Sequence, residues 1–293
     1  MTEKRTVKLT HPDRIYWPDA GVTKEGLADY YSDVWRRIAP FVVGRPLALL
    51  RCPEGIEGPT FFQKHAWKGI HKAIRLVADP KDKGGEPFIA IDDLDGLIAL
   101  VQASVLEIHP WGSTIAHWEK ADTLIMDLDP GEGTSGEAVL EAAGETRRRL
   151  EEAGLSAFVK TSGGKGLHVV APLTPKATWP TVKTFTKELA DRMAADSPDL
   201  YVSTISKAKR RGKVLIDYLR NQRGMTAVAP FSTRARPGAA VSMPLHWDEL
   251  SPDMGPDYFT VTNAAARLDA QKSDPWADFE ASAVPLPAKG KLG

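Results

Sequence analysis

From Asp122 to Leu219 the chain changes step between a two-residue and a 3.6-residue rhythm, and the order of those changes constrains the fold more than any other feature. Side chains alternate faces along a strand and recur every three or four residues along a helix, so each rhythm names its element. "TLIMDLD" (123–129) reads as a strand. Residues 135–153 read as a helix that Ser135 caps and Gly154 ends. "SAFVKTS", "GGKG" and "LHVVAPL" read as strand, turn and returning strand, a hairpin. Trp179, Val182, Phe185, Leu189 and Met193 then fall at helical spacing, and "KVLIDYL" forms a further strand.

The resulting order, β-α-β-β-α-β, is that of a ferredoxin-like or RNA-recognition-type layer. Two helices cover one sheet face and leave the other open for a site. In that arrangement the first and third strands are central neighbours and the fourth lies on an edge. Upstream, Leu27, Tyr30, Tyr31, Val34 and Ile38 sit at helical spacing within residues 24–38, with Thr23 as N-cap. "RPLALLRCP" (45–53) and "EPFIAID" (86–92) read as strands and "LDGLIALVQAS" as a helix. The last eleven residues, "AVPLPAKGKLG", read as a tail or linker.

At 293 residues the chain can form one large domain or two small ones. No apolar run approaches the ~18 residues of a membrane helix, which excludes a membrane-spanning helix, and the first thirty residues do not resemble a signal peptide. Cys52 is the only cysteine, so an intrachain disulfide and a cysteine-based zinc cluster are excluded, and a reducing cytoplasm is expected. A net charge of zero argues against a simple basic nucleic-acid coat protein. The distribution is uneven, however. Between Ser203 and Arg236 stand nine basic residues, Arg210 and Arg220 among them, against one acid, Asp217. Such a segment is either a local anion-binding surface or a solvated charged face.

Aspartate is a poor strand former, yet "MDLDPG" puts Asp127 and Asp129 on one face of a strand end. Two carboxylates that close repel unless a cation or a shared proton relieves them. A metal site, a carboxylate dyad and a polar loop are all open on that evidence. Asp217 ends the last strand of the same layer, and three carboxylates on one sheet would suit two divalent cations of the Mg²⁺ or Mn²⁺ kind. In "KTSGGKGLH", Gly163, Gly164 and Gly166 allow a tight turn with N–H groups near a ligand, while Lys165 and His168 supply phosphate partners. It is not a Walker loop, because the required spacing is absent. His109 reads as a core histidine near a strand end. Phe61 and Phe62 alternate across a strand, so one can be buried while the other stacks on a base. Arg234 and Arg236 share one side if their segment is extended. Arg14 and Lys24 could meet a second phosphate.

Together, "LIMDLDPGEG", "KTSGGKGLHVVAPL" and "GKVLIDYLRNQRGMTAVAPFSTRARPGAAVSMP" closely resemble the polymerase domain of bacterial ATP-dependent DNA ligase D. "LTHPDRIYWPDAGVTK" and "RCPEG…FFQKH" extend the resemblance to about residues 6–280. That family belongs to the archaeo-eukaryotic primase superfamily and acts with Ku in non-homologous end joining. The resemblance implies an α/β (α+β) primase-polymerase fold, an RNA-recognition-like layer (about 121–282) packed with an N-terminal α/β module (about 1–120) around a central cleft. It implies gap filling and end extension at double-strand breaks, ribonucleotides favoured, by a two-metal mechanism with Mn²⁺ or Mg²⁺. Asp127, Asp129 and Asp217 match the catalytic metal-binding triad. Ser162, Lys165 and His168 match the nucleotide-binding motif, and Arg51, His109, Arg234 and Arg236 are further nucleotide or phosphate contacts. Phe62 matches an aromatic that stacks on nucleic acid. Arg14 and Lys24 match a basic pair that recognises a 5′-phosphate. Arg210, in a mobile loop that brings two DNA ends together, and Arg220 join the DNA-binding set. Implied partners are DNA ends, nucleoside triphosphates, Ku, and ligase and nuclease domains, in the cytoplasm and associated with the nucleoid.

Two other classes remain. A phosphatase of the haloacid dehalogenase type would use Asp127 as nucleophile, but it expects Thr or Val two positions after the second aspartate, where this chain turns at Pro130 and Gly131. A non-catalytic DNA-end-binding module would keep Arg14 and Lys24 and tolerate loss of the acids, all three of which are present.

Overall fold

A computed structural model of the chain describes residues 5–82, 84–255 and 258–287. It divides into two compact units, and the division is not a single cut. Of the described residues, those up to 116 with 228–242 and 258–271 form the first unit, and 117–227, 243–255 and 272–287 the second. The chain therefore returns to the first unit twice after the point near residue 120 where a contiguous division falls.

The first unit opens with a short antiparallel pair, β1 (Ile15–Trp17) and β2 (Val22–Thr23), leading into helix α1 (Lys24–Val42). The Thr23 hydroxyl accepts from the Gly26 N–H and caps α1. Leu27, Tyr30, Tyr31, Val34 and Ile38 are buried along one stripe, as their spacing demands, and the helix runs four residues past Ile38 with Pro40 in its last turn. Strands β3 (Leu47–Arg51), β4 (Phe61–Gln63), β5 (Arg75–Val77) and β6 (Phe88–Ala90), helix α2 (Leu94–Gln102) and β7 (Val105–Pro110) complete the N-terminal part. The sheet order is β4-β3-β6-β5, with β7 also paired to β3. Leu50 lies opposite Phe62 on one side and Glu107 on the other, while Ala48 lies opposite His109. The returning segment 228–242 is tied in by side chains: the Tyr30 hydroxyl donates to the Phe231 carbonyl at 2.8 Å and the Trp17 indole to the Arg234 carbonyl at 3.0 Å.

The second unit is the βαββαβ layer. Its elements are β8 (Thr123–Pro130), α3 (Gly136–Glu152), β9 (Phe158–Thr161), β10 (Leu167–Pro172), α4 (Trp179–Asp196), β11 (Tyr201–Val202), β12 (Val214–Asp217) and β13 (Pro244–Leu245). Ser135 caps α3, and Gly154 takes the left-handed conformation just past its end. The sheet order is β11-β12-β8-β10-β9-β13. Its four middle strands have the expected ferredoxin-like order, but β12 is not an edge. β11 pairs with it in parallel and β13 flanks β9, so the layer is extended to six strands. β8 sends Leu124, Met126 and Leu128, all fully buried, to the face covered by the helices, and Asp127 and Asp129 to the other.

The expected tail at 283–293 is partly structure. The Thr174 N–H donates to the Val284 carbonyl at 3.0 Å, and Val284 bridges Leu173 at the end of the sheet. Residues 288–293 lie outside the described residues. Among the described residues no helix is long and apolar enough to cross a membrane.

Candidate active site and DNA-end site

The acids come together because of strand register. Asp217 pairs with Asp127, Asp127 with His168 and His168 with Lys160, giving one row across β12, β8, β10 and β9. Cross-strand partners share a face, so the row carries two carboxylates, an imidazole and an ammonium side by side. All four residues are buried. Asp129 stands one row further along β8, opposite Leu215, and is half-exposed.

Two glycines let other segments close over this strand end. A Cβ on Gly166 would overlap the Leu128 carbonyl, and one on Gly131 would overlap the Arg210 carbonyl. The Gly131 N–H donates to the Lys213 carbonyl at 2.8 Å, fixing the basic segment beside β8. The "SGGKG" turn closes on itself: the Ser162 N–H donates to the Gly166 carbonyl at 3.0 Å, and the Ser162 hydroxyl accepts from the Gly164 N–H at 3.2 Å. Ser162 is buried in the turn and Lys165 is exposed at its tip.

His168 donates from Nε2 to Asp127 Oδ1 at 3.2 Å, and Arg220 donates from Nε to Asp127 Oδ2 at 3.2 Å. Burial opposes ionisation of Asp127, yet His168 and then Arg220 outweigh it, and the carboxyl lies well below the usual range. His168 itself is pushed down to about 4, by burial first and then by the Lys160 charge. It is therefore uncharged near neutrality, so it offers Asp127 a hydrogen bond while Arg220 supplies the charge. His168 Nδ1 is buried with no hydrogen-bond partner among the described residues. Asp129 is raised to about 6, by burial and then by the Asp127 charge, with Arg210 (Nη2 3.8 Å from Asp129 Oδ2) opposing. Asp217 is also raised, by burial first, although its Oδ1 accepts from the Leu219 N–H at 2.7 Å. Arg210 and Arg220, expected on DNA, are thus turned onto carboxylates.

A divalent cation fits the donor set by its chemistry. Three carboxylates stand on one sheet face, and two of them resist ionisation, by burial first and then by the Asp127 charge, which a cation would offset. Among the described residues no three His, Cys, Asp or Glu side chains are already gathered as a metal cage. Arg220 holds Asp127 instead, and Arg210 lies beside Asp129.

The first unit carries a second cluster that sequence reasoning assembled only in part. Glu107, buried in β7, accepts from His109 Nε2 at 2.7 Å and from the Ala235 N–H at 2.9 Å, and Arg234 Nε lies 3.2 Å from the same carboxylate. These donors overcome its burial and hold Glu107 at about 2. His109 is therefore a paired histidine rather than a core one, and its ring meets Phe62 edge-on at 5.5 Å. Phe61 and Phe62 do not divide between core and surface. Both are exposed, because β4 is the edge strand of its sheet. Arg51 donates to the Ala103 carbonyl, with its guanidinium 4.5 Å from the Trp67 ring and 5.4 Å from Phe61. The segment carrying Arg234 and Arg236 is not extended. The Arg236 N–H donates to the Arg234 carbonyl at 2.9 Å, a tight turn that leaves Arg236 exposed and Arg234 half-buried.

Arg14 and Lys24 do come together, at the N-terminus of α1. Arg14 Nη1 donates to the Pro53 carbonyl at 2.9 Å and Lys24 Nζ to the Thr10 carbonyl at 2.8 Å. Lys24 is buried and its pKa is lowered, by burial first and then by the Arg14 charge. Two cations beside a helix N-terminus are an arrangement that would suit an anion.

Glu107 and Lys160 were missed, although signals existed. Glu107 stands two residues before His109 on a strand and so shares its face, and Lys160 sits across the hairpin turn from His168.

This chain matches the family described as LigD, primase-polymerase domain, over residues 23–276. It is 35% identical over 93% of its length to the multifunctional non-homologous end joining protein LigD of Pseudomonas aeruginosa, and 29% identical to the bifunctional LigD of Bacillus subtilis. It spans 33% and 44% of those relatives' lengths. Its fold superposes on the polymerase domain of Mycobacterium tuberculosis ligase D, solved in complex with DNA, with a TM-score of 0.87 at 30% identity, covering 96% of this chain and 100% of that one. With the βαββαβ layer, the row of acids and these matches in agreement, the chain belongs to the LigD primase-polymerase domain family and is a polymerase-type nucleotidyltransferase.

Proposed function

We propose that the chain fills short gaps and extends ends at DNA double-strand breaks in non-homologous end joining, adding nucleotides to a 3′-hydroxyl opposite a template. The observation that carries this reading is the register row Asp217–Asp127–His168, with Asp129 beside it. Two divalent cations, Mn²⁺ or Mg²⁺, would be held by Asp127, Asp129 and Asp217, lowering the pKa of the attacking hydroxyl and neutralising the leaving pyrophosphate. The chain's own residues do the rest. Arg220 and His168 keep Asp127 ionised and oriented. Lys165, Arg51, Arg234 and Arg236 supply donors for the triphosphate, spreading its charge, with His168 and His109 as further nucleotide contacts. Phe62, exposed on an edge strand, is available to stack on a base. Arg14 and Lys24 hold the 5′-phosphate of the downstream strand, so a gapped end is selected over a plain primer terminus. Ribonucleotides are favoured, with Ser162 contacting the 2′-hydroxyl. Ku and ligase and nuclease activities are the partners, in the cytoplasm and associated with the nucleoid.

The deciding assay is extension of a gapped, 5′-phosphorylated duplex with rNTPs or dNTPs and Mn²⁺ or Mg²⁺. Asp127→Ala abolishes extension and leaves binding to 5′-phosphorylated DNA intact. Undiminished extension by that variant would remove the site assignment.

A further inference from the structure

We infer that Glu107 is a positioning residue for nucleotide binding, its carboxylate setting the tautomer of His109 and the bearing of Arg234. The inference rests on the reading that His109 and Arg234 meet the nucleotide.

Glu107 is 4% exposed in a strand whose neighbours Val105, Leu106 and Ile108 are buried and apolar. An unpaired carboxylate there would be costly, so its retention calls for partners. It has three: His109 Nε2, the Ala235 N–H and the Arg234 guanidinium. Two belong to side chains in the nucleotide set, and the third is the backbone of the turn that carries Arg234 and Arg236. An ionised carboxylate only accepts, so the ring nitrogen facing it must carry hydrogen. His109 is thereby fixed as the Nε2–H tautomer, with Nδ1 left as an acceptor when the ring is neutral. With its Nε 3.2 Å from the carboxylate, the Arg234 guanidinium is kept beside Glu107 by charge before any ligand arrives. A nucleotide then meets two ordered side chains and does not have to order them itself.

Steady-state kinetics of Glu107→Ala, Glu107→Gln, His109→Ala, Arg234→Ala and the Glu107→Ala/His109→Ala double variant on a gapped, 5′-phosphorylated duplex test this, with thermal melting as the fold control. Glu107→Ala raises KM for the nucleoside triphosphate by about tenfold, changes kcat less, and leaves affinity for the duplex unchanged. The double variant falls little further than His109→Ala alone, because the two act as a unit. In ¹⁵N spectra the native His109 carries its proton on Nε2. In Glu107→Gln the amide turns its NH₂ to the ring and the proton moves to Nδ1. Additive losses, an unchanged KM in Glu107→Ala, or an Nδ1–H native tautomer overturns the inference. If Glu107→Ala does not fold, Glu107→Gln and its spectrum decide. If His109→Ala and Arg234→Ala both leave KM unchanged, the nucleotide assignment fails, and the spectrum still judges whether Glu107 sets the ring.

Discussion

Asp127 and Glu107 are both buried acids that stay ionised, each because cationic or N–H partners outweigh the penalty of leaving water. The consequence for Glu107 is measurable. Its folded pKa is depressed from 4.5 to about 2, so its contribution is complete above the unfolded value and is lost as pH falls from there through about 2. The contribution is on the order of 3 kcal/mol. The charged and titratable groups that interact with it are His109, Arg234, Tyr31 and Cys52. In urea unfolding across that acid range, Glu107→Gln loses stability less steeply with falling pH than the native chain. Identical slopes would contradict the depressed pKa. Gly166 is a second case, since a Cβ there meets the Leu128 carbonyl of the neighbouring strand. Gly166→Ala pushes the "SGGKG" turn off β8, costing about 1–3 kcal/mol and most of the extension rate. Activity and stability both at native levels would show that the turn can yield. At this scale the sequence was legible where residue type alone carries the chemistry, as in the three aspartates. It was not legible for Arg210 and Arg220, because a basic segment reads alike whether its guanidiniums face solvent or a carboxylate.

The elements were largely visible in advance. Thr23 and Ser135 cap the helices they precede, Gly154 closes α3, and the hairpin pairs Phe158–Thr161 with Leu167–Pro172. Local rules suffice there because a cap, a turn or a burial stripe involves neighbours in sequence. Where an element's role depends on its place in a sheet, they did not. Phe61 and Phe62 are both exposed because β4 is an edge, and β12 is interior because the two-residue β11 covers its flank. If Lys24 meets the 5′-phosphate as proposed, helix α1 joins local and functional roles, since its cap Thr23 precedes Lys24 directly. Thr23→Ala costs about 1 kcal/mol in denaturant unfolding. Fraying of the first turn also weakens binding of a 5′-phosphorylated duplex more than of its 5′-hydroxyl counterpart. Equal weakening of both would separate the cap from the phosphate site.

Across the whole molecule, the two units are built from interleaved segments, so residues 228–242 and 258–271 belong with the N-terminal unit although they follow β12 in sequence. The end of the described chain also counts. Deleting residues from Val284 onward removes the bridge to Leu173 and the bond from the Thr174 N–H. The expected loss is about 1 kcal/mol, a fall in Tm of a few degrees. An unchanged Tm would restore the plain linker reading. By itself the sequence determined the strand–helix order of the layer, the caps and the turn glycines, because these follow from rhythm and backbone sterics between near neighbours. It also carried the motif string on which family membership rests. Only the tertiary structure decided that Asp217 stands opposite Asp127, that Arg220 holds Asp127, and that Glu107 pairs with His109 and Arg234. Those contacts join residues up to about a hundred and thirty positions apart in the chain, and their energies depend on burial and on register, which one strand cannot set without its partner.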